Sequence, residues 1–99
     1  MNASLSIAAD HPAYAGHFPG DPILPGVLLL DEALHVMGVQ MEKDLSACVI
    51  NSVKFLSPVR PGEAVLVNFN LGDNALLRFE LRNGARKVAS GVICLPENS

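Results

Sequence analysis

The stretch Gly16-His17-Phe18-Pro19-Gly20-Asp21-Pro22-Ile23-Leu24-Pro25-Gly26-Val27-Leu28 constrains this chain more than any other feature. Pro19, Pro22 and Pro25 each hold φ near about −65°, and Gly16, Gly20 and Gly26 open backbone conformations closed to other residues, so the path of the loop is over-determined. The loop runs straight into an apolar segment that carries Asp31. A histidine in a rigid loop followed by a carboxylate on a helix is an acid–base pair on a fixed scaffold, and loops of this kind commonly position chemistry.

From Gly26 to about Lys43 no proline interrupts a run rich in Leu, Ala, Met and Val. Apolar residues fall on nearly every side, which predicts a helix buried over most of its surface. The polar positions Asp31, His35, Gly38 and Glu42 follow i, i+4, i+7, i+11 spacing and share one face. Glu32 lies about 100° round the helix from Asp31, so the two are not expected to face one site.

The remainder reads as strands. Leu5 and Ile7 alternate with Ser4 and Ser6, which predicts a first strand near residues 3–9. Residues 47–56 are β-rich and end at Ser57-Pro58-Val59-Arg60-Pro61-Gly62-Glu63. Val65, Val67, Phe69 and Leu71 alternate with Ala64, Leu66, Asn68 and Asn70, then Gly72-Asp73-Asn74 turns the chain. Leu77, Phe79 and Leu81 alternate with Arg78, Glu80 and Arg82, and Asn83-Gly84 signals a type I′ hairpin before a last strand near residues 86–95. One long helix and about five antiparallel strands predict a single α+β domain over residues 1–99, with the sheet wrapped around the helix.

Composition removes several function classes. A chain of 99 residues buries only about 60–65% of its unfolded surface, which favours an oligomer. The longest uninterrupted apolar runs, Val27 to Leu30 among them, hold four residues, far short of the ~18 of a membrane span. No basic leader followed by an apolar segment opens the chain, so no secretory signal is expected and the location expected is cytoplasmic. Cys48 and Cys94 belong to no CxxC or zinc-type cluster and read as two free, buried thiols. Three histidines without HExxH or comparable spacing predict no metal site, and no cofactor is implied. The first half carries Lys43 alone against Asp10, Asp21, Asp31, Glu32, Glu42 and Asp44; the second half carries Lys54, Arg60, Arg78, Arg82, Arg86 and Lys87 against four acids. That balance argues against nucleic acid as a partner.

The opening stretch closely resembles the signature of the β-hydroxyacyl-(acyl carrier protein) dehydratases of the hotdog fold (FabA/FabZ-like), whose pattern reads G-H-F-P-x-x-P-(I/V)-x-P-G-x-L-x-x-(E/D)-A. Every fixed position is present through Leu28, and Asp31 falls at the acidic one. Val53-Lys54-Phe55-Leu56-Ser57-Pro58-Val59-Arg60-Pro61-Gly62-Glu63 is similar to the (A/V)-(K/R)-F-x-x-P-V-x-P-G-(D/E) strand and turn found downstream in the same enzymes. The resemblance implies an antiparallel hotdog sheet around a central helix. It also implies elimination of water from a 3-hydroxyacyl thioester to give the trans-2-enoyl product.

That reaction needs a base for a weakly acidic C2 proton, an acid for a poor leaving group at C3, and donors for charge on the thioester oxygen. His17 suits the first role, since an imidazole titrates near neutrality. Asp31 suits the second, if Val27, Leu28 and Leu30 keep it protonated part of the time. The free N–H groups at the helix start, around Gly26 and Val27, suit the third, and a residue without a side chain lets the thioester approach the backbone. Phe18 and Pro25 join them as candidate substrate contacts. His35 stands where many family members carry Gln, one turn after Asp31, and is a candidate for tuning it; His11 reads as a loop residue.

In the family the active site lies at a dimer interface, which pairs His17 of one chain with Asp31 of its partner. A homodimer or higher oligomer is therefore expected, with a heterodimer as the other arrangement. An acyl carrier protein with its phosphopantetheine arm is the expected partner, and the basic residues of the second half read either as its patch or as solvated strand faces. Family members place roughly thirty to forty more residues before the histidine, where sixteen stand here. Short relatives of this kind are similar to dehydratases of aryl polyene and polyketide-like pathways. A shortened tunnel walled by Leu28, Leu29, Leu30, Val36 and Met37 predicts short-to-medium or conjugated chains. The alternatives are a hotdog acyl thioesterase and a non-catalytic acyl-binding subunit of a heteromeric dehydratase.

Overall fold

The computed structural model describes residues 1–6, 25–60 and 62–96. Along the chain these form β1 (Asn2–Ser6), α1 (Gly26–Met41), β2 (Val49–Phe55), β3 (Ala64–Leu71), a 3-10 turn (Asp73–Ala75), β4 (Leu76–Asn83) and β5 (Arg86–Cys94). The strands make one antiparallel sheet in the order β1-β3-β4-β5-β2, so β1 and β2 are its edges.

Period-2 patterning sets the faces. Val65, Val67 and Phe69 of β3 and Leu77, Phe79 and Leu81 of β4 are buried, whereas Leu66, Asn68, Asn70 and Arg78 stand outward. Leu71, expected with the inward set, is exposed at the strand end. Register aligns Phe69 with Phe79 and Phe79 with Gly91. A Cβ on Gly91 would lie 2.6 Å from both the Phe79 ring and the Ser52 carbonyl, so glycine is what allows the ring to lie across β5.

Leu29, Ala33 and Met37, four residues apart, form the buried stripe of α1, which packs against β1 and β3. The expectation of burial on most sides is corrected here. Val27 is 81% exposed and Val39 is exposed too, because the described sheet covers one side of the helix only. The predicted substrate wall changes accordingly: Leu29 and Met37 belong to the core.

The helix stops at Met41, short of Lys43, for a local reason. Glu42 adopts a left-handed conformation (φ 57°, ψ 43°), with Glu42 N–H donating to Val39 O and Lys43 N–H to Gly38 O. This is a Schellman ending with glutamate where glycine is usual. The first strand is seen over Asn2–Ser6; residues 7–9 of the predicted span lie outside the described residues.

The hairpin expected at Asn83-Gly84 exists, shifted by one residue. Asn83 pairs with Arg86, leaving Gly84 and Ala85 as the loop, and of the two only Gly84 has a positive φ (60°). That is the pattern of a type II′ connection rather than type I′. Two turns earlier, Gly62 (φ 82°) and the Glu63 N–H to Arg60 O bond bring the chain round into β3.

The two thiols are free but half-buried rather than buried, Cys48 just before β2 and Cys94 at the end of β5. Most of the basic residues are engaged. Arg82 and Lys87 both pair with Glu80, and Arg86 with Glu63 at 2.9 Å. Lys54 and Arg78, on exposed strand positions, have no ion-pair partner among the described residues.

Candidate active site

The start of α1 is uncapped by any side chain. Pro25 (φ −57°, ψ 137°) is the N-cap, and its carbonyl accepts from both Leu28 N–H and Leu29 N–H at 3.1 Å. The first two helical amides, Gly26 and Val27, therefore have no acceptor among the described residues. Both carry the positive end of the helix dipole. Gly26 has a near neighbour that sequence reasoning missed. A Cβ there would meet the Phe55 ring at 3.1 Å, so this side chain reaches from edge strand β2 to the first residue of the helix. Phe55 was legible only as a motif position, since nothing in local periodicity pairs residues 26 and 55.

Two clefts flank the helix and meet at Asp31. The smaller, about 480 Å³, is lined by Pro25, Val27, Leu28, Leu30, Asp31, Leu34 and Ile50. Among the described residues Asp31 is its sole ionisable one, and it is exposed at the rim. Of the predicted wall, Leu28 and Leu30 are present, with Val27, Leu34 and Ile50 in place of Leu29, Val36 and Met37.

The larger cleft, about 910 Å³, is bordered by all four polar positions of the predicted face, Asp31, His35, Gly38 and Glu42. It is also bordered by Glu32, which corrects the expectation that Asp31 and Glu32 cannot face one site: both border this cleft, and Asp31 alone borders the apolar one. His35 is exposed and shares the larger cleft with Asp31 without a hydrogen bond between them.

The far end of the larger cleft is acidic and fixed. Ser46 N–H donates to Asp44 Oδ1 at 2.9 Å and, with the Ser46 side chain, holds the Asp44 carboxyl below its ordinary range, while burial pushes the Cys48 thiol up. A raised thiol is the poorer nucleophile. Of the sequence-predicted site residues, Pro25, Gly26, Val27, Asp31 and His35 are thus gathered at one helix, and His17 and Phe18, with His11, lie outside the described residues.

Residues 1–92 match the ApeI-like family of ApeI dehydratases. The chain belongs to that family. It is 36% identical over 76 residues to the 3-hydroxyacyl-[acyl-carrier-protein] dehydratase FabZ of Haemophilus influenzae (strain PittEE), covering 69% of this chain and 51% of the relative. It is 30% identical over 105 residues to the FabZ of Klebsiella pneumoniae, covering 95% of this chain and 68% of that protein. The chain thus spans about half the length of the Haemophilus relative.

Among solved structures it is similar to the dehydratase heterocomplex ApeI:P from Xenorhabdus doucetiae, with a TM-score of 0.75, 28% identity, and coverage of 95% of this chain and 84% of that one. The fluoroacetyl-CoA thioesterase FlK shares the fold at 13% identity, with a TM-score of 0.63 over 94% of this chain and 80% of its own. The sheet and helix described above are therefore a hotdog fold of the FabA/FabZ-like dehydratase class. Among the described residues no helix is long and apolar enough to cross a membrane.

Proposed function

We propose that the chain is a 3-hydroxyacyl-(acyl carrier protein) dehydratase whose acid–base pair is His17 and Asp31. One observation carries this reading: Asp31, Pro25 and Val27 open on one apolar cleft beside two helix-start amides with no acceptor among the described residues. A thioester oxygen accepting from Gly26 or Val27 N–H leaves the acyl chain against Leu28, Leu30 and Leu34. His17 takes the C2 proton, the C2–C3 π bond forms, and the C3 hydroxyl leaves as water with a proton from Asp31. The oxygen returns its transient charge as the enoyl thioester forms.

The site is shared between two protomers, His17 of one with Asp31 of the other. Exposed Val49, Ile50 and Leu56 on and just after edge strand β2, with Val27 and Val39 on the helix, support an interface there. The likeness to a dehydratase heterocomplex favours a second arrangement, in which the other protomer is a different hotdog chain. The carrier protein is the partner in either case, and the unpaired Lys54 and Arg78 suit its acidic surface.

Mass spectrometry of carrier-bound 3-hydroxyacyl substrates incubated with the purified protein tests the reaction. Loss of one water from the intact thioester is the expected product. Release of the free 3-hydroxy acid makes the protein a thioesterase instead, and an unchanged substrate contradicts the dehydratase reading.

A further inference from the structure

We infer that Phe55 determines which acyl groups the site accepts at the carbon next to the thioester, excluding substrates branched at C2; this rests on the dehydratase reading above. The gap between Gly26 and Phe55 is tight: a methyl group on Gly26 would fit only if the ring gave way by a few tenths of an ångström. A Cβ on Gly26 would sit 3.1 Å from two ring carbons and 3.2 Å from a third, against about 3.5–4.0 Å for a relaxed carbon contact.

The backbone that carries the ring is anchored to β5. Phe55 pairs with Ala89 on the inward face of β2, and the following Leu56 N–H donates to Val88 O at 2.8 Å, which anchors the end of the strand. Ser57 N–H donates to the same carbonyl at 3.2 Å. Yet the ring is 50% exposed, so one of its surfaces is free to meet a ligand.

An acyl oxygen accepting from the Gly26 amide, at about 2.9 Å, sets the carbonyl carbon and C2 at the mouth of this gap, beside the ring. An unbranched C2 presents only hydrogens to the ring. A C2 methyl turned toward the ring competes for the space that the missing glycine side chain leaves, and the anchored strand keeps the base of the ring beside it. Phe55 acts by shape alone and moves no proton.

The test compares 3-hydroxybutyryl and 2-methyl-3-hydroxybutyryl thioesters on the same carrier, using wild type, Phe55→Leu and Phe55→Ala. The readout is the ratio of kcat/KM, branched over unbranched. One methyl group in an apolar pocket commonly separates substrates by about 10–200-fold. The wild type should therefore disfavour the branched substrate, and Phe55→Ala should raise the ratio about tenfold or more, with Phe55→Leu between them. A general loss of stability lowers both substrates together and leaves the ratio where it was. Phe55→Leu keeps apolar bulk on the strand and decides the matter if Phe55→Ala fails to fold by circular dichroism. A ratio unchanged within twofold in a folded variant, with the unbranched substrate still dehydrated, overturns this inference alone. Loss of water from neither substrate by the wild type overturns the dehydratase reading and this inference with it.

Discussion

Asp31 and Glu32 are neighbours in sequence and differ in what they look onto: both border the acidic cleft, and only Asp31 borders the apolar one beside the helix start. Replacing Asp31 with Asn should lower dehydration by about 10²-fold or more with the fold intact, while Glu32→Gln stays within a few-fold of wild type. Steady-state kinetics with circular dichroism checks both, and equal damage from the two contradicts the assignment. Glu63 offers a test of stability rather than catalysis. The Arg60 N–H, ahead of the Arg86 guanidinium, holds its carboxyl below the ordinary value of 4.5. A carboxylate lowered in the fold stabilises it above the unfolded value and loses that contribution as pH falls through the folded one. The Tm gap between wild type and Glu63→Gln should therefore narrow as pH drops from about 7 to about 3; a gap that widens contradicts this. At this scale the sequence was most readable for position: the motif put Gly26 at the helix start and Asp31 on the helix, where both stand. It was silent on the Phe55 contact, which joins residues far apart in the chain.

The elements followed their periodicity, and the departures came at their ends. The alternation of Val65, Val67 and Phe69 placed β3 correctly because a strand covered on one face must alternate. The helix end and the hairpin were each misread by one or two residues, since both depend on which residue takes a left-handed conformation. Glu42 does so without glycine's freedom. Glu42→Gly should therefore stabilise the protein by about 0.5–1 kcal/mol, relieving a conformation that costs an ordinary residue. Chemical denaturation measures it; a destabilised variant would mean that the Glu42 side chain contributes more than its backbone costs.

At the scale of the whole molecule, the apolar helix predicted to be buried leaves Val27 and Val39 exposed, for the proposed second chain to cover. The sequence could announce apolar surface without saying whether this chain or another covers it. Val49 is exposed on β2 and borders neither cleft, so Val49→Lys should convert dimer to monomer in light scattering and abolish water elimination without touching the site. The sharpest test of a shared acid–base pair mixes two inactive variants, His17→Ala and Asp31→Asn, under conditions that let subunits exchange. If the pair spans the interface, half of the randomly mixed dimers regain one of two sites, and loss of water from a carrier-bound 3-hydroxyacyl thioester returns to about one quarter of the wild-type rate. No recovery after demonstrated exchange would contradict the account.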